Sequence, residues 1–184
     1  MRNQRLPGRV PCPARRRLLK ASGAALVAAA VPLGASASVE RRLDLTSLHT
    51  GESVRAPFFS EGLYSQAALA EINQVLRDHR TGDVHPIDRR LLEILHTLQS
   101  GLGSTRWQVI SGYRSPKTNA MLATRSGSVA RRSLHMQGRA IDVRLAGVTT
   151  RRVRDAALAL GAGGVGYYHD SDFVHLDTGR VRNW

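Results

Sequence analysis

Across residues 38–184, apolar positions recur with two periods, and each period predicts its own kind of element. Residues 42–46 and 53–59 partly alternate apolar with polar on either side of Thr50, Gly51 and Glu52, the pattern of a hairpin. Ala68, Leu69, Ile72, Val75 and Leu76 fall at helical spacing. They predict a helix over 65–80, capped by Ser65 and ended by Gly82. Asp88 caps a second helix, whose Leu91, Leu92, Leu95 and Leu98 form one stripe until Gly101. A short strand follows over 107–110, and Ser115 with Pro116 opens a short helix. Residues 124–133 have no apolar period and read as a polar loop. Alternation returns over 139–145, with Ile141 and Val143 on one face and Asp142 on the other. Thr150 caps a helix through Leu160, which Gly161 ends. Residues 165–168 and 173–177 close the chain as a hairpin turned by His169, Asp170 and Ser171. Helical runs segregated from strand runs imply an α+β domain with a small antiparallel sheet and its helices on one side.

The first 37 residues follow a different pattern. Residues 15–20 read RRRLLK, a twin-arginine export pattern, although Ala14 stands before the pair and Arg17 leaves its alignment open. An apolar run from Ala21 to Leu33 follows, and Ala35-Ser36-Ala37 supplies a small-residue cleavage site. The run is too short and alanine-rich for a membrane span. The expectation is a signal segment over 1–37, contact with the membrane only during export, and a mature domain over 38–184 in the periplasm. Cys12, the one cysteine, leaves with the signal, so the mature chain has neither disulfide nor thiolate chemistry. The signal holds seven basic residues and no acid, so its removal lowers the net charge from +13 to +6. A basic surface of this kind suits an anionic polymer such as the cell wall, and equally an ordinary arginine-rich solvated face. Scarce aromatics speak against nucleic acid as a partner. A monomer is expected.

Chemistry concentrates in two phrases. SGYRSP and SLHMQGRAID occupy 111–116 and 133–142, and DFVHLD occupies 172–177. Together they offer His135, Asp142 and His175, with Asp172 and Asp177 close by. Two neutral imidazoles and one carboxylate suit a catalytic Zn²⁺ that keeps an open position for water. His79 and His96 lie on helices without a partner at metal spacing and read as surface residues, as does His169 in its turn.

The order S-x-H-x-x-G-x-A-x-D, preceded by SGYRS and answered by D-x-x-H, resembles the zinc peptidases of the LAS group. That group includes lysostaphin-type enzymes, D-Ala-D-Ala metallopeptidases and the hedgehog amino-terminal domain. The likeness is closest to the murein endopeptidase K branch and spans about residues 40–184. It implies one zinc in a cleft, held by His135, Asp142 and His175, and hydrolysis of peptide cross-links in peptidoglycan stem peptides. Carboxypeptidase or dipeptidase action on D-Ala-D-Ala is the near alternative, and a non-catalytic zinc-containing wall-binding module is the alternative from another class.

Two aspartates compete for the general base. The resemblance favours Asp172, three residues before His175. Strand alternation favours Asp177, which shares the face of His175, either as base or as the residue that orients a ligand. The His-x-His of other group members is broken here by Phe173. Arg114 follows the strand over 107–110, and its fork suits a substrate carboxylate or a developing oxyanion. Tyr113 and Gln137 are candidate wall contacts for the substrate.

Overall fold

A computed structural model describes residues 40–104, 106–125 and 130–184. The segment read as an export signal lies outside the described residues. The described residues form an α+β domain: one mixed, mostly antiparallel sheet with one hydrophobic core. The strands are β1 (Arg41–Ser47), β2 (Ser53–Ser60), β3 (Leu63–Tyr64), β4 (Arg106–Ser111), β5 (Ala140–Leu145), β6 (Gly164–Tyr168), β7 (Phe173–Asp177) and β8 (Arg182–Asn183). The helices are α1 (Gln66–Val75), α2 (Arg89–Leu102), α3 (Pro116–Arg125) and α4 (Thr150–Leu160). Strand order is β3-β2-β1-β4-β5-β7-β6-β8, parallel only at β1–β4 and β6–β8.

The sheet is larger than expected. β3 and β8 are two residues each, too short to show a period, and they are held by their neighbours' backbones. Period two decides which face is buried. Leu43 and Leu45, Val54, Ala56 and Phe58, Trp107 and Val109, Ile141, Val143 and Leu145, and Val174 and Leu176 all lie in the core. Each large side chain fully buried there contributes about 1.5–3 kcal/mol. The stripes of α1, α2 and α4 pack against this face. Gln99 of α2 is buried and satisfied on both ends, donating to the Arg42 carbonyl at 2.7 Å and accepting from Trp107 Nε1 at 3.1 Å.

Three helix boundaries differ from the sequence reading. Ser65 caps α1 as expected, but the helix stops at Val75 instead of Arg80. Asp78 causes this: its buried carboxylate turns inward to accept from the amides of Arg80 and Ser115, which bends residues 76–83 into a loop. Asp88 caps α2, but Gly101 lies inside it, and the left-handed Gly103 ends it. α4 is capped by Thr149, whose hydroxyl accepts from the Arg152 amide; Thr150 is already helical, and its hydroxyl is used elsewhere. Among the described residues no helix is long and apolar enough to cross a membrane.

Candidate metal centre

The face of the sheet opposite α1, α2 and α4 carries the polar residues of the central strands. Asp142 on β5 lies directly across from His175 on β7, so alternation sends both side chains to that face. His135 arrives from a 3₁₀ turn, Leu134–Gln137, that leads into β5. Ser133 caps this turn, and Gly138 ends it at φ 64°. A Cβ at Gly138 would collide with the Pro86 carbonyl, so only glycine fits. The resulting cleft, about 330 Å³, is lined by these three residues together with Arg114, Asp177, Tyr168, Phe173, Arg182, Trp184 and residues 130 and 132–134.

One ligand atom from each of His135, Asp142 and His175 lies within 4.8 Å of the other two. The remaining atoms of the set are already engaged. His135 Nδ1 is 2.7 Å from the Gly112 carbonyl, an acceptor, so Nδ1 carries the proton and Nε2 faces the cleft. His175 Nε2 is 3.1 Å from Asp177 Oδ2, which leaves Nδ1 beside Asp142 Oδ1 at 2.8 Å. Asp142 Oδ2 faces the Arg114 guanidinium at 3.5 Å. Such outer partners fix tautomer and ring orientation in metal sites. The donor set therefore fits a divalent cation that takes nitrogen and oxygen ligands.

Charge is arranged to match. Burial opposes ionisation of Asp142, but His135 and His175 outweigh it and hold the carboxyl well below the usual range. Burial also opposes charge on His175, yet Asp142 and Asp177 overcome it and raise its pKa. Asp177 is fully buried and saturated. Its Oδ1 accepts from the amides of Gly164 and Gly179 at 3.1 and 2.8 Å and from Arg182 at 3.1 Å. Its Oδ2 accepts from His175 and from Arg182, the latter at 2.7 Å. These donors outweigh its burial and keep it ionised.

Arg114 lines the cleft from the SGYRSP loop, and several contacts hold that loop. Tyr113 N donates to the Leu76 carbonyl, Ser115 N to Asp78, and Arg114 N to the His135 carbonyl. The guanidinium also reaches Ser111 and Asn119 at 3.4 and 3.5 Å, while its buried Nε has no partner among the described residues.

Asp172 is elsewhere. It sits in the β6–β7 turn at φ 49°, with its side chain toward the start of α4. There Oδ1 accepts from Thr150 at 2.8 Å, and Arg144 pairs with Oδ2 at 3.5 Å. It lines a second cleft with Gln108, Arg144 and Thr149, away from the three ligands. Asp172, expected as the general base, is thus placed by the turn with its side chain on Thr150 and Arg144 and not beside the three ligands. Tyr113 and Gln137 are also absent from the lining of the cleft. Tyr113 stacks on His85 at 4.7 Å, and Gln137 bonds Arg139 at the surface. The sequence reading missed Arg182, Trp184 and Tyr168. The available signal was G-V-G on β6, two glycines on the face that bears the site.

A family model described as peptidoglycan L,D-endopeptidase MepK matches residues 35–184, the whole of the described domain. The chain belongs to this family. The MepK proteins of Escherichia coli K12 and Shigella flexneri are each 46% identical to it over 175 residues, 92% of this chain and 96% of theirs. A probable MepK of Haemophilus influenzae is 39% identical over 176 residues, 92% of this chain and 95% of its own. No solved structure matches the chain.

Proposed function

We propose that this chain is an exported zinc peptidase that hydrolyses peptide cross-links in peptidoglycan, with L,D-endopeptidase specificity. The observation that carries the reading is the convergence of His135, Asp142 and His175, each with its other polar atom engaged, in a chain whose relatives are named for this activity. Zinc bound there would supply a water ionised near neutral pH and a polarised carbonyl.

The chain's own residues do the rest. His135 presents Nε2 and His175 presents Nδ1, each kept in that tautomer by the acceptor on its far side. Asp177 is the orienting residue for His175. Its four donors other than His175 and its low proton affinity make it a poor proton acceptor. Arg114 holds Asp142 and faces the cleft with a half-buried, charged fork, suited to the oxyanion that develops on the scissile carbonyl. Export by the twin-arginine route, with cleavage after Ala37, delivers the folded domain to the wall.

The test is digestion of purified sacculi with zinc-loaded protein, followed by mass identification of the muropeptides. Cross-linked dimers should fall to monomers, and a chelator should stop this. Loss of terminal D-Ala with dimers intact would replace the endopeptidase reading by the carboxypeptidase one. No change in the muropeptides would leave a binding module.

A further inference from the structure

Arg182 and Trp184 close the cleft on the β6 side. β8 lies parallel to β6, and Trp184 extends that pairing: its amide donates to Val165 O at 3.3 Å, and its carbonyl accepts from Tyr167 N at 3.0 Å. The indole then folds back over the sheet. Val165 faces the core, so Gly164 and Gly166 face the site. A Cβ on Gly166 would stand 2.7–2.9 Å from three indole atoms, so a side chain at that position would expel the ring. Gly164 likewise clears room for Arg182 and the Asp177 carboxylate.

The indole is anchored on several sides. Nε1 donates to the Tyr168 hydroxyl at 3.1 Å, and the Arg182 guanidinium lies 4.8 Å from the ring centre. Its other neighbour is His175, with ring centres 5.3 Å apart. Despite these anchors Trp184 remains 50% exposed, and what it exposes belongs to the lining of the cleft. A rigid aromatic surface kept half open beside a catalytic centre is the usual form of a binding anchor, since little conformational freedom is lost when a ligand covers it.

We propose that Trp184 is a substrate-binding residue: its indole is a fixed wall against which the peptide lies as its scissile bond approaches the centre. The proposal rests on the peptidase reading above. It assigns β6 glycines the task of making space for that wall, and it assigns Arg182 two tasks, gripping Asp177 through both nitrogens and backing the indole.

The experiment uses zinc-loaded wild type, Trp184→Phe and Trp184→Ala, with cross-linked muropeptide dimer as substrate. Zinc content, KM and kcat are measured for each. Trp184→Ala should raise KM about tenfold or more with zinc retained and kcat changed far less. Trp184→Phe should recover most of the loss. A second readout does not depend on turnover. Trp107 is fully buried, so acrylamide quenching reports Trp184. Muropeptide at a concentration that saturates binding to metal-free protein should protect that emission. An unchanged KM in Trp184→Ala, unprotected emission at saturation, or loss of zinc in both variants would each overturn the proposal. If wild type releases nothing from the dimer, it is the peptidase reading that fails.

Discussion

Replacing Asp177 by Asn tests the inner logic of the centre, because the two side chains have the same shape and opposite hydrogen-bonding character on one arm. The retained oxygen can still accept from the amides of Gly164 and Gly179 at the Oδ1 position. The new NH₂ takes the Oδ2 position, 3.1 Å from His175 Nε2. A donor there forces the imidazole proton onto Nδ1, the nitrogen that faces Asp142 and His135. The metal must then displace that tautomer, and a loss of about 10–100-fold in affinity is expected, or about 1.4–2.8 kcal/mol. Stability should suffer less. The Arg182 Nη2 contact to the Oδ2 position is lost while Nη1 can still reach the retained oxygen, and the Arg182 side chain is about a third exposed, so about 1–2 kcal/mol is at stake. In a domain of this size that is a fall of about 2–8 °C in Tm. Zinc affinity is measured by competition with a chromophoric chelator, and Tm by circular dichroism. Wild-type zinc affinity together with turnover reduced about 10²–10⁴-fold would refute the orienting role and make Asp177 the base.

Asp172→Ala should leave zinc content unchanged and muropeptide release within a few-fold of wild type, whereas Arg114→Ala should weaken zinc binding through Asp142 and lose most turnover even at saturating zinc; assays of both under one set of conditions decide between them. Zinc affinity should fall about tenfold per pH unit once the pH drops below the raised pKa of His175, because the proton that burial opposes but Asp142 and Asp177 hold there must leave before Nδ1 can ligate; calorimetric titrations from pH 8 downward check this. The same raised pKa makes the metal-free protein lose the stability due to His175 as pH rises through it, visible in Tm against pH. Changing Arg15 and Arg16 together to Lys should hold the precursor in the cytoplasm, as read by fractionation and immunoblot, and unchanged export would point to another route.

Much of the fold is visible in the periodicity because most elements are long enough to repeat it. α2 offers four leucines on one stripe, and β5 offers three apolar residues on one face. What periodicity could not show was decided by single side chains acting across the chain. Asp78 ends α1 by bonding Ser115, 37 positions away, and that contact has no local signature. β8 exists because β6 has a free edge. For the centre, the order of His135, Asp142 and His175 in the motifs matches three side chains that meet in one cleft. The position of Asp172 was not legible because it lies in a turn at positive φ, where strand alternation gives no direction for the side chain. Trp184 was overlooked because an aromatic residue after a run of arginines and glycines carries no period at all.

The centre's location follows from the same period that builds the core. Helices α1, α2 and α4 take one face of the sheet, so the opposite face of β5, β6 and β7 is where these strands present polar groups without breaking the core. Burying carboxylates there is costly unless donors meet them. Asp142 has two imidazoles and Arg114, and Asp177 has Arg182 and two backbone amides. The two arginines come from separate places in the chain, Arg114 from the pinned SGYRSP turn and Arg182 from β8 beside β6. The ligand set is thus already oriented by neighbours of the right charge. It follows that substitutions at the far ends of these contacts, at Gly112, Gly164 or Asp78, should lower metal affinity without touching a ligand. In each, the far side of the cleft has to move before the ligands can.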